Sequence, residues 1–96
     1  MIRHIVMWKF KPETPEAERL EMKRQLEALM GVVPTLQHIE VGLDISGKEA
    51  AMDMVLCSEF NTAEDLAAYA GHPAHVKVVD FIKRLVCERA VVDCEI

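Results

Sequence analysis

Ile5-Val6-Met7-Trp8 is apolar without a break. Successive residues of a strand point to opposite faces, so a strand built from this run turns apolar side chains to both sides of its sheet. Residues 2–10 therefore read as a strand that must be covered twice. Lys11-Pro12-Glu13-Thr14-Pro15 stops it, and Thr14 as N-cap with Pro15 at the first helical position starts a helix predicted to reach Gly31. Met22, Leu26, Leu29, Met30 and Val33 give that helix one apolar face, and Pro34 blocks any continuation.

Strands are expected over residues 37–44 and 52–60, joined by a turn at Ser46-Gly47-Lys48. Thr62 and Asp65 resemble a capping box that opens a short helix through Tyr69. Gly71 breaks that helix, Pro73 starts another reaching Leu85 or Val86, and residues 88–96 form the last strand. The order β-α-β-β-α-β is the ferredoxin-like plan, an antiparallel sheet built from two split βαβ units, in one domain spanning residues 1–96.

Helices on one side cannot cover both faces of such a sheet. His4, Val6 and Trp8 share one face with Met54, Leu56, Ser58, Arg89 and Val91. The other carries Ile5, Met7, Val55, Cys57 and Val92, whose exposure costs roughly 25 cal/mol per Å². A second copy laid face to face is the simplest cover, which predicts a homodimer through those five residues. Composition agrees: 51% of the residues are hydrophobic but only 5% aromatic, an aliphatic surplus for 96 residues.

Several function classes are disfavoured. Net charge is −5, and the 11 basic residues form no stripe, so no nucleic-acid partner is expected. No segment nears the roughly 18 apolar residues of a membrane span, and the first residues lack a signal-peptide pattern. Three cysteines without C-x-x-C spacing suit a reducing, cytoplasmic setting, with Cys57 as an interface thiol and Cys87 and Cys94 unreactive.

The chemistry-bearing segment is Tyr69-Ala70-Gly71-His72-Pro73-Ala74-His75. With proline at the first helical position, His72 falls at the N-cap and His75 at N3, where the positive end of the helix dipole favours a neutral imidazole. A neutral base beside a phenol suits proton abstraction next to a carbonyl. The same two groups could instead bond one another as a purely structural cluster. His72 reads first as a cap and second as a ligand contact. His72-x-x-His75 with His4 is a poor metal set, lacking a carboxylate or thiolate, so no metal and no cofactor is expected. Val6, Trp8, Met22, Leu26, Met54, Leu56, Val78 and Val91 are either filled core or the lining of an apolar pocket.

His4 with Trp8-Lys9-Phe10-Lys11, Gly42-Leu43-Asp44-Ile45-Ser46, Ser58-Glu59-Phe60, Tyr69 with His72-Pro73-Ala74-His75, and Val92-Asp93 together resemble the stress-responsive A/B barrel (Dabb) family over nearly the whole chain. The resemblance implies a dimeric α/β barrel. It also implies a pocket between sheet and helices, because a plant polyketide cyclase of this family closes a ring there by cofactor-free aldol condensation. Its tyrosine and histidine align with Tyr69 and His75, and its strand-one histidine with His4. Met54, Met22 and Leu26 stand where that enzyme has a histidine and aromatic pocket residues, so its substrate does not carry over. The expected function is binding of a small, mainly apolar carbonyl compound with acid/base chemistry by Tyr69 and His75, aided by His4. A non-catalytic stress-responsive scaffold is the alternative, and a monooxygenase of the same architecture a third.

Overall fold

The computed structural model describes residues 1–96. Strand β1 (Ile2–Phe10) lies between β3 (Met54–Phe60) and β4 (Val86–Glu95), antiparallel to both. β2 (His38–Leu43) pairs antiparallel with the outer side of β3, giving the order β2-β3-β1-β4. Helix α1 (Glu16–Glu27) links β1 to β2, and α2 (Ala63–Gly71) with α3 (Pro73–Ile82) links β3 to β4. This is the expected ferredoxin-like plan, with its second helix in two pieces.

The division of faces follows the sequence pattern. Val6 and Trp8 on β1 and Met54, Leu56, Ser58 and Phe60 on β3 turn toward the helices and are buried. They meet Met22 and Leu26 of α1, Leu29, Val33 and Leu36 beyond it, Tyr69 of α2, and Val78 and Ile82 of α3. The buried Ser58 hydroxyl is satisfied by donating to the carbonyl of His4, 3.1 Å away. On the other face, Met7 is 38% exposed and Val92 58%, with Ile5, Val55 and Cys57 half-buried beside them. No helix is long and apolar enough to cross a membrane.

Element ends differ from expectation for identifiable reasons. Thr14 is not the cap of α1; Pro15 occupies that position without a side-chain bond. The buried Thr14 hydroxyl instead donates 3.0 Å to the carbonyl of Leu85, tying the start of α1 to the turn before β4. α1 stops at Glu27 rather than Gly31, because the chain tightens into three-residue turns such as Leu29 N–H to Leu26 and Met30 N–H to Glu27. Gly31, at φ 85°, then turns the chain, and Met30 rotates outward to 47% exposure instead of joining the apolar face. α3 ends at Ile82, three or four residues early, and β4 begins at Val86, two residues before the expected start. The Thr62 cap forms as read, its hydroxyl accepting from the Asp65 N–H at 3.1 Å.

Thr14→Val keeps the branched shape and removes one buried hydrogen bond, while the Leu85 carbonyl still accepts from the Lys11 N–H. We expect a loss of about 1 kcal/mol, a fall of about 4–8 °C in Tm. Thermal unfolding followed by circular dichroism checks it; an unchanged Tm would show the bond is not a tie.

Candidate functional site

The site is built on the joint between α2 and α3. Pro73 has no N–H to continue α2, so the chain breaks at His72 and restarts. His72 N–H bonds the Tyr69 carbonyl at 3.1 Å, and its Nδ1 accepts from the Ala74 N–H at 3.1 Å. His72 is thus occupied as a cap and is absent from the cavity lining. The break also frees the Ala70 carbonyl, which lies 3.0 Å from His75 Nδ1. A carbonyl only accepts, so Nδ1 carries the hydrogen, and in the neutral ring Nε2 is left as an acceptor without a partner in the chain.

Tyr69, in the last turn of α2, and His75, in the first turn of α3, come together with ring centroids 4.4 Å apart. Phe60 also packs against Tyr69 at 5.0 Å, and the His4 ring stands edge-on at 6.3 Å. Tyr69 is 1% exposed, yet its hydroxyl makes no hydrogen bond within the chain and is not sealed away. The phenol and the imidazole therefore do not satisfy one another. Both border one cavity.

That cavity, about 860 Å³, lies between the sheet and α2–α3. Of the residues expected to line it, Val6, Trp8, Leu26 and Leu56 do so, together with His4, Tyr69 and His75. Met22, Met54 and Val78 do not: they are buried core with at most 7% exposure. Val91 is 44% exposed on β4 and also lies outside the lining. α3 is rotated so that Val76, Val79, Asp80 and Lys83 face the space while Val78 packs inward. From α2 come Ala63, Leu66, Ala67 and Ala70, whose spacing of three, one and three residues is a helical stripe legible in the sequence.

Asp93 is the functional candidate that sequence reasoning passed over. It faces His4 across the β1–β4 ladder, with Oδ1 2.5 Å from His4 Nδ1. This bond fixes the His4 ring and leaves its Nε2 edge free, as carboxylates do when they orient an imidazole. The antiparallel register pairs His4 with Asp93, Val6 with Val91 and Trp8 with Arg89, so Asp93 and Arg89 both enter the lining.

Burial sets the protonation states. It pushes the Tyr69 phenol up to about 12, so the hydroxyl remains a donor at neutral pH. Burial also holds His75 below its usual 6.5, opposed by the bond to Ala70 and assisted by the charges of His4, Arg89 and His72. Desolvation is the first cause that favours the neutral imidazole. No group of three or more His, Cys, Asp or Glu side chains is arranged to hold a metal ion.

Comparison with known proteins agrees with the fold. Residues 2–96 match the model of the Stress Responsive A/B Barrel Domain. An olivetolic acid cyclase from Cannabis sativa is 29% identical over 77 residues, which cover 78% of this chain and 76% of that protein. A stress-response A/B barrel domain-containing protein from Arabidopsis thaliana is 35% identical over 79 residues, covering 82% of this chain but 30% of that longer protein. A dimeric protein of unknown function and ferredoxin-like fold from Bacteroides fragilis superimposes with a TM-score of 0.87 at 33% identity, over 99% of this chain and 95% of that one.

Because the folded imidazole binds its proton more weakly than the unfolded one, His75 contributes stability above pH 6.5 that is lost as pH falls through its lowered pKa. His75→Gln is expected to flatten that part of the stability–pH curve. Urea unfolding between pH 5 and 8 checks it; an identical slope in both proteins would contradict a buried neutral His75.

Proposed function

The chain belongs to the stress responsive A/B barrel domain family, and from that premise we propose that it binds a small, mainly apolar, carbonyl-bearing molecule and acts on it by acid/base chemistry without a cofactor. One observation carries the reading: a buried tyrosine whose accessible hydroxyl has no partner in the chain and an imidazole of fixed tautomer border the same mainly apolar cavity. In this reading the Tyr69 O–H donates to the carbonyl oxygen. His75 Nε2 takes a proton from the adjacent carbon, whose electron pair moves onto the oxygen that Tyr69 holds. The enolate carbon then attacks a second carbonyl and the new alkoxide takes the proton back, which is aldol closure. Return of the proton to another carbon is isomerisation; in decarboxylation the bond from that carbon to a carboxylate breaks instead of its bond to hydrogen, the electron pair moves onto the oxygen that Tyr69 holds as carbon dioxide leaves, and solvent protonates the carbon. His4, held by Asp93, positions the polar end of the ligand.

We also infer that two copies pair sheet to sheet through Ile5, Met7, Val55, Cys57 and Val92. The half-open apolar face supports this, as does the description of the Bacteroides fragilis relative as dimeric. Free Cys57, Cys87 and Cys94 suit a reducing cytoplasmic setting. Replacing Val92, exposed in the single chain, by aspartate should shift sedimentation from dimer toward monomer; an unmoved dimer would place the interface elsewhere.

The chemical reading needs no knowledge of the natural substrate for its test. Hydrogen–deuterium exchange next to the carbonyl of 2-heptanone in D₂O reads the proton transfer directly. The chain should accelerate it, His75→Ala should lower the acceleration by about 10²–10⁴-fold, and Tyr69→Phe should lower it as well. Equal exchange in all three proteins would leave a non-catalytic binding scaffold as the better account.

A further inference from the structure

The cavity proposed above to hold the ligand carries charged side chains that the acid/base chemistry does not use. Arg89 on β4 and Lys83 after α3 line it, together with Asp80 and Asp93. The ion pairs of the chain are Arg3–Glu59, His4–Asp93, Lys23–Glu27, Arg24–Glu21 and His38–Glu40. Asp93 is thus engaged by His4, and neither Arg89 nor Lys83 has a carboxylate partner.

Arg89 is exposed, yet it also lines the cavity. It sits on the helix-facing side of β4, in register with buried Trp8, and so rises beside the apolar floor formed by Val6 and Trp8. The acid/base end lies further along the same ladder, at the pair of His4 with Asp93. The two pairs are separated by four residues of β1, about 13 Å of strand. A guanidinium presents a rigid fork of N–H donors matched to a carboxylate.

We propose that Arg89 selects an anionic substituent: the ligand is an apolar chain whose carboxylate is held by Arg89 while its carbonyl end reaches Tyr69 and His75. The inference rests on the cavity being the ligand site. It narrows the substrate class from carbonyl compounds in general to oxo acids and related carboxylates.

Trp8 is the sole tryptophan and lines the cavity, so its fluorescence reports occupancy. Titrating decanoate and 1-decanol, matched in length and differing in charge, into the wild-type chain should give at least tenfold tighter binding of decanoate. Arg89→Leu should abolish that preference by weakening decanoate while leaving decanol unchanged, and Arg89→Lys should restore part of it. Lys83→Ala should retain it. Equal affinities in the wild type, a preference that survives Arg89→Leu, or one that disappears with Lys83→Ala would overturn the assignment to Arg89 and leave the cavity as a ligand site. Failure of both probes to change Trp8 fluorescence would overturn the ligand site together with the assignment.

Discussion

A proline that cannot donate a hydrogen bond organises the candidate site. Pro73 ends α2 and starts α3, and the joint brings the last turn of one helix against the first turn of the other. Three consequences follow locally. His72 is used up as a cap, the Ala70 carbonyl is freed to receive His75, and Tyr69 is pressed between Phe60 and the His75 ring. An uninterrupted helix would bond the Ala70 carbonyl to the Ala74 N–H, and His75 would lose the partner that sets its tautomer.

Burial then sets the protonation states of the two rings. It raises one proton affinity and lowers another: the phenol is held protonated and the imidazole neutral. Separating donor and acceptor states at one pH is what acid/base work on a carbonyl requires. Val6, Leu26, Leu56 and Val79 give the cavity an aliphatic wall, and the sheet register brings Asp93 and Arg89 into the same lining.

Much of this is legible in the sequence, because local rules govern it. Alternation in β1 and β3 places Val6, Trp8 and Leu56 inward and Ile5, Met7 and Val55 outward, and the same division appears in the fold. The caps at Thr62 and His72 follow from side-chain type and spacing. Expectation and structure part where the winner is a contact distant in sequence. Thr14 has the chemistry of an N-cap, but Leu85, 71 residues away, takes its hydroxyl. Val76-Lys77-Val78-Val79 is apolar on more than one side, so its pattern does not fix the rotation of α3; Val76 and Val79 line the cavity while Val78 packs into the core. Asp93 has no local signature and gains meaning only through its register with His4.

The central claim is that His75 is a neutral imidazole with its hydrogen on Nδ1 and a free Nε2 facing the cavity beside the Tyr69 hydroxyl. Long-range ¹H–¹⁵N spectra of the histidine rings at neutral pH report this without any ligand. The account predicts a protonated Nδ1 and an unprotonated Nε2 for His75. A ring carrying its hydrogen on Nε2, or one charged on both nitrogens, would contradict it.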